Sequence, residues 1–366
     1  MEFGCYPIGV LVTDAGGGLQ VLSDVDDTIV CPNPQGSTDP HSIAGVDTRL
    51  EAKEIYPGVA ELMLGLALGP EETTSTTINS NNSYIIPARP MLLSARPREA
   101  FLLLSIAQDS AINVYMEEVG QRNSNPTWGT NIDGSMYGTL LDGTSYNEFG
   151  ETKAKSYTQV ATARPNTRFA FLGDNGQGDV CAAQSMLQSA AKDRMMAVLI
   201  HLTQTNPEES ITTCEDPETG DFTLDLPESD VVHYHSTHAD AALWVYNQKL
   251  ISCCSAQNVH GAIEEWIACR CDGMCNYELP TGVSVPATRN ETLAYCDTLK
   301  ADQALLQTTI DTCEPEGGCP QPEGLPAFGN GTSSSSSSSS DAATNACHAP
   351  SVLLGLLLLL APNAFS

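Results

Sequence analysis

An α/β fold built on a parallel sheet is predicted for this 366-residue chain by three observations. Short apolar runs recur at residues 19–22, 91–94, 169–172, 196–202 and 231–235. Helix-like segments fall between them, which is the alternation of a Rossmann-like sheet. The first three runs end in polar or acidic residues, and in open α/β sheets ligands sit beyond the carboxyl ends of the strands.

In chain order, residues 8–30 read as a strand, or as a hairpin turning at Gly16-Gly17-Gly18, with 19–22 its buried part. Residues 32–88 interrupt the strand pattern and hold one amphipathic helix, 58–68, with an exposed loop expected at 73–82. Residues 101–106 are apolar helix, and 137–149 is Gly-rich and expected to turn. Lys153 and Lys155 stand at the entry of an Ala/Ser/Thr-rich helix. Residues 182–192 are the next helix, 196–202 a buried strand and 203–230 a long acidic loop. Strand 231–235 and helix 239–251 follow.

The chemistry sits at the ends of the strands. Asp24-Val25-Asp26-Asp27-Thr28 follows the first. A carboxylate just past a strand end is a competent nucleophile for phosphorus. Asp26, two residues on, projects to the same side and can manage the proton. An acidic turn without chemistry is the plain alternative. Ser94 ends the second run, and Gly173-Asp174 ends the third, with Asp179 five residues on. Asp24, Ser94 and Asp174 would meet at one rim, with Lys153 reaching it from a helix start.

In that order, D-x-D-x-T, Ser, Lys and Gly-Asp-x-x-x-x-Asp, the sequence resembles the haloacid dehalogenase (HAD) superfamily. Finer details are similar to one branch, the catalytic domain of the actin-patch-type phosphatidate phosphatases. They are Ser23-Asp24-Val25-Asp26-Asp27-Thr28-Ile29, Pro57-Gly58-Val59-Ala60-Glu61-Leu62, Ser94-Ala95-Arg96-Pro97 and Gly173-Asp174-Asn175-Gly176-Gln177-Gly178-Asp179, within residues 8–252. Arg96 departs from that branch, which has a small residue there.

The resemblance implies a HAD-like Rossmannoid domain with a cap or insertion at 32–88. It implies an Mg²⁺-dependent phosphatase that acts through an aspartyl-phosphate on Asp24, with Asp26 as acid and then base. The Mg²⁺ ligands would be the Asp24 side chain, the Asp26 carbonyl and Asp174, with Asp179 a further ligand or the partner of a bound water. Ser94 and Lys153 would hold the equatorial phosphoryl oxygens. Lys153 is preferred to Lys155 by its spacing from Asp174. On a helix the two lie about 200° apart, so only one faces the site. Phosphatidate is the implied substrate, yielding diacylglycerol and phosphate. The alternatives are a soluble phosphomonoester, or a non-enzymatic cell-surface binding protein on a HAD scaffold.

With 16 Lys+Arg against 45 Asp+Glu the net charge is −29. Such a body repels nucleic acid and gives no help in docking on anionic lipid. Arg89, Arg96, Arg98, Lys153 and Lys155 are the candidates for a local positive rim. There is no P-loop, G-x-S-x-G elbow, H-E-x-x-H or internal repeat. His233, His235 and His238 offer three imidazoles, for which a sheet-edge cluster is preferred to a metal site.

The organisation read from the chain is a catalytic domain at 1–254, a Cys-rich module at 255–325, a Ser-rich linker at 326–351 and an apolar tail at 352–366. Eight of the 13 cysteines fall from Cys253 to Cys319, which points to disulfides and an oxidising compartment. Zinc on Cys269, Cys271 and Cys275 is the alternative, with irregular spacing. The ten-residue apolar stretch 352–361 makes roughly 15 Å of helix against a bilayer core of roughly 30 Å. Preceded by an eight-serine run, it fits a GPI-attachment signal with ω near Ser340 or Asp341. The expected location is the secretory pathway or cell surface. Met1-Glu2-Phe3 has no positive n-region, so the true start is expected upstream. Asn81, Asn290 and Asn330 head N-x-S/T sequons.

Overall fold

Alternating side chains send the apolar strands into two cores, one on each face of a parallel sheet. The computed structural model describes residues 18–31, 47, 49–51, 53–70, 87–97, 111–138, 146–175, 178–203, 214–215, 222–223, 226, 228–274, 290–313 and 319. The chain forms two units, 1–329 and 330–366. The second, with the serine run and the expected GPI signal, lies outside the described residues, as do 1–17 and 101–106.

The strands are β1 (Gln20–Ser23), β2 (Met91–Pro97), β3 (Met136–Gly138), β4 (Phe169–Asp174), β5 (Met195–His201), β6 (Cys214–Glu215), β7 (Phe222–Thr223) and β8 (Val232–His235). Six form one sheet in the order β3-β2-β1-β4-β5-β8, every pair parallel. β6 and β7 make a small antiparallel pair inside the expected acidic loop. Period-two alternation sorts the side chains. Val21, Leu92, Ala170, Leu172, Ala197 and Leu199 enter one core. Leu22, Leu93, Phe169, Phe171, Val198 and Ile200 enter the other.

Among the described residues there are seven α-helices: α1 (Val59–Leu68), α2 (Ala111–Arg122), α3 (Tyr146–Ala163), α4 (Asp179–Gln188), α5 (His238–Asn247), α6 (Cys253–Trp266) and α7 (Asn290–Ile310). Helices α3 and α4 pack together, and Tyr157, Val180 and Met186 fill the second core. Gly150 permits that packing, because a Cβ there would meet Cys181 Cβ and Gly178 O at 2.7 Å. Helices α1, α5, α6 and α7 cover the opposite face.

Three sequence expectations are corrected. The 58–68 helix is not amphipathic: Val59 through Ala67 are all buried, because α6 lies over the side turned from the sheet. Contact is close enough that a Cβ on Gly65 would sit 2.9 Å from Ser255 Cβ. Within the expected insertion, residues 32–46, 48, 52 and 71–86 lie outside the described residues. At the two ends of the expected turn region 137–149, residues 137–138 close β3 and α3 begins at Tyr146, with Phe149 buried there; residues 139–145 between them lie outside the described residues. Lys153 therefore lies two turns inside α3 rather than at its start.

The described part of the Cys-rich segment is largely helical, at 253–271 and 290–310. Cysteines stand at disulfide distance as Cys253–Cys313, Cys254–Cys319 and Cys271–Cys296, with Cα separations of 6.1, 5.2 and 5.8 Å. They tie α6 to α7 and its flanks near both ends. Cys271 is committed to Cys296, and Cys269 is also disulfide-bonded, so the zinc alternative loses two of its three ligands.

Candidate active site

The rim where β1 and β4 end gathers the acidic residues of two separate motifs. Asp24 continues β1 and donates its N–H to Leu172 O at 2.9 Å, which locks it to β4. Asp174 is the last residue of β4. Its N–H donates to Asp179 Oδ2 at 3.1 Å, and Asp179 opens α4. Gly173 makes room for this, because a Cβ there would sit 2.7 Å from Asp179 Oδ2. Asn175 anchors the other side of the loop: its N–H donates to His201 O, and its Oδ1 accepts from Thr203 N and Oγ1.

One oxygen from each of Asp24, Asp174 and Asp179 lies within 4.8 Å of the others, and all three residues are buried. Lys153 reaches them from α3. Its ammonium lies 3.0 Å from Asp24 Oδ1 and makes an ion pair with Asp179. Lys155 is exposed and pairs with Glu151 along the helix at 3.1 Å. The helical offset that separates the two lysines thus leaves one facing the carboxylates.

Three carboxylates against one ammonium leave an excess of negative charge out of water. Charges so buried cost roughly several kcal/mol each unless they are compensated. Burial pushes the Asp179 carboxyl up to about 7, with Lys153 pulling it down and Asp24 pushing it up. Burial also raises Asp174 well above the ordinary carboxylate range, reinforced by Asp179, Asp27 and Asp24. Burial alone would lower Lys153, but Asp179, Asp24 and Asp174 overcome it and hold the ammonium charged. Asp24 Oδ2 is buried with no hydrogen-bond partner among the described residues. A cluster of hard oxygen donors with excess negative charge, Asp24 Oδ2 among them, could hold a metal cation.

No protein-family model matches the chain, and neither does a curated protein or a solved structure. The geometry therefore stands alone.

Ser94 is buried on β2, beside Tyr137 of β3, two residues past the Ser23–Leu92 pairing of β1 and β2. That register sets it level with the turn after β1. Asp26 lies in that turn and is 7% exposed. The side-chain cluster itself comprises Asp24, Asp174 and Asp179. Of the proposed basic rim, Arg89 is engaged, donating from Nε to Thr127 O at 2.9 Å.

The turn is braced from residues that no motif marked. Asp27 has φ 58°, the left-handed region. Its Oδ1 accepts from Asp47 N at 3.0 Å, and its carbonyl lies 2.6 Å from His201 Nδ1. Asp47 forms a buried bidentate pair with Arg49, Oδ1 accepting from Nε and Oδ2 from Nη2, and accepts from Tyr56 Oη at 2.6 Å. Arg49 Nη2 lies 2.9 Å from His201 Nε2. His201 ends a strand that sequence alone marks only as apolar. Asp47 and Arg49 fall in the stretch expected to be an insertion, so periodicity could not single them out.

His235 and His238 surround His201, with ring centroids 5.3 and 5.4 Å away. His233 stacks on Trp244 at 5.3 Å. The three histidines of the sequence motif thus do not converge on one point, and β8 is the edge strand of the sheet.

Proposed function

We propose that the chain is a metal-dependent phosphomonoester hydrolase of the HAD type that works through an aspartyl-phosphate on Asp24. The observation that carries this reading is the meeting of Asp24, Asp174, Asp179 and Lys153 at one buried rim, with Asp24 Oδ2 left open. Lys153 orients Asp24 through Oδ1, so the carboxylate presents its other oxygen to phosphorus. The P–O bond to the leaving group breaks as the Asp24–phosphorus bond forms. Asp26 gives its proton to the leaving oxygen and then takes one from the water that cleaves the intermediate. Lys153 offsets charge on the phosphoryl oxygens, and Ser94 donates to them. Asp24, Asp174 and Asp179 would hold Mg²⁺, with the Asp26 carbonyl added by the resemblance. When bound, Mg²⁺ supplies charge neutralisation between carboxylate and phosphate.

The resemblance to phosphatidate phosphatases makes phosphatidate the first substrate to test. The net charge of −29 favours a second reading, a soluble phosphomonoester, because the body of the protein repels an anionic membrane surface. Phosphate release from phosphatidate vesicles, measured beside sugar and inositol phosphates, separates them. Turnover of vesicles above the soluble esters supports the lipid substrate. Turnover of soluble esters alone removes it.

A further inference from the structure

The mechanism above leaves a buried network unused. It runs from the turn that carries Asp24 and Asp26 to the C-terminal helices. Asp27 holds a left-handed backbone conformation, which is strained for a non-glycine residue and persists where the surroundings enforce it. The enforcement is visible. Asp27 N–H donates to Val30 O at 3.0 Å, its side chain accepts from Asp47 N, and its carbonyl meets His201 Nδ1.

The tautomer of His201 follows from its neighbours. A guanidinium only donates, so Nε2 facing Arg49 Nη2 must be the acceptor. A ring with one proton then carries it on Nδ1, where it donates to the Asp27 carbonyl. Tyr56, His235 and His238 wall the imidazole in, Tyr56 edge-on at 4.6 Å. Arg49 is seated in turn by α7: Thr292 Oγ1 donates to Arg49 O at 2.6 Å, and the guanidinium lies 5.1 Å from the Tyr295 ring centroid.

We propose that His201 and Arg49 are positioning residues for the catalytic turn: Arg49 sets the His201 tautomer, and His201 Nδ1 holds the Asp27 carbonyl and so aims Asp24 and Asp26. Through Thr292 and Tyr295 the disulfide-tied C-terminal layer is then a support of the active site. The inference rests on the phosphatase reading for its rate consequence and on geometry alone for its structural one.

The test compares His201→Asn with His201→Gln. Both are polar and uncharged. Asn places an amide donor near the Nδ1 position, while Gln reaches toward the Nε2 position and abandons Asp27. H201N is expected to keep kcat close to wild type. H201Q is expected to lose about 10- to 100-fold in kcat with KM little changed, as for a small misplacement of reacting groups. Hydrogen exchange of the turn at residues 24–30 is expected to be faster in H201Q than in H201N. Equal kcat and equal exchange in the two variants would overturn the proposal. If wild type releases no phosphate from any ester, the phosphatase reading fails, and the exchange comparison alone decides the positioning. If H201Q does not fold, Arg49→Lys takes its place, since it keeps the charge beside Asp47 but withdraws the fork from Nε2. The same kcat loss is expected, and wild-type turnover in R49K overturns the proposal.

Discussion

Lys153 and Lys155 are two residues apart on one helix and occupy opposite electrostatic worlds. Lys153 is buried among Asp24, Asp179 and Asp174, while Lys155 is exposed and pairs with Glu151. Removing one partner of a buried charge set costs about 3–5 kcal/mol, because the others are left uncompensated. An exposed helical pair contributes about 0.3–0.5 kcal/mol. Lys153→Met is therefore expected to lower the urea midpoint of the metal-free protein sharply, and Lys155→Met to leave it almost unchanged. Similar midpoints for the two variants would contradict the burial of Lys153 in the cluster. The aspartates and this lysine were legible in the sequence because strand ends and motif spacing fix where they fall. Asp27's bracing was not. His201, Asp47 and Arg49 are distant in sequence from the turn, and only the folded chain brings them to it.

At the scale of elements, β5, β8 and α5 bring three buried imidazoles together. Burial lowers His201 to about 3, helped by Arg49 and His235. It also lowers His235 and His238 well below their ordinary value, with neighbouring histidines adding to it. The sign follows from proton uptake. Unfolded histidines take up protons below about 6.5 and the folded ones do not, so their contribution to stability falls as pH drops below that value. Asp174 and Asp179 act oppositely, since burial makes the folded chain hold their protons toward higher pH; that stabilisation is lost as pH rises, for Asp179 toward about 7. His235→Gln isolates the histidine part. Its deficit in unfolding free energy relative to wild type is expected to shrink between about pH 7.5 and about pH 5. A constant deficit would show that His235 is not held neutral by the fold. Five of the six sheet strands were readable from short apolar runs; β3 was not, because its three residues run into a Gly-rich stretch. Helix α1 was misread as amphipathic because one helix cannot reveal that a later one, α6, will cover its outer face.

At the scale of the whole molecule, a parallel sheet with helices on both faces agrees with the fold class read from the sequence. The disulfide-tied helices α6 and α7 share a core with α1 and α5. Sequence could count these cysteines but not pair them, since pairing depends on which helices pack. The net charge of −29 acts over the entire surface. For an anionic phosphate ester, that field raises KM at low ionic strength, and added salt screens it. KM for a soluble ester is expected to fall as salt rises from about 0.01 to 0.15 M. A KM that rises with salt would mean that a local basic rim governs substrate approach instead.

On the function proposed, the buried rim of Asp24, Asp174, Asp179 and Lys153 hydrolyses phosphomonoesters. Phosphate release by the folded, oxidised protein, with Mg²⁺ and with EDTA, beside Asp24→Asn, tests it most directly. The expected result is release that requires Mg²⁺ and disappears in D24N while the fold is retained. Undiminished release by D24N, or none by wild type from any lipid or soluble ester, would contradict it.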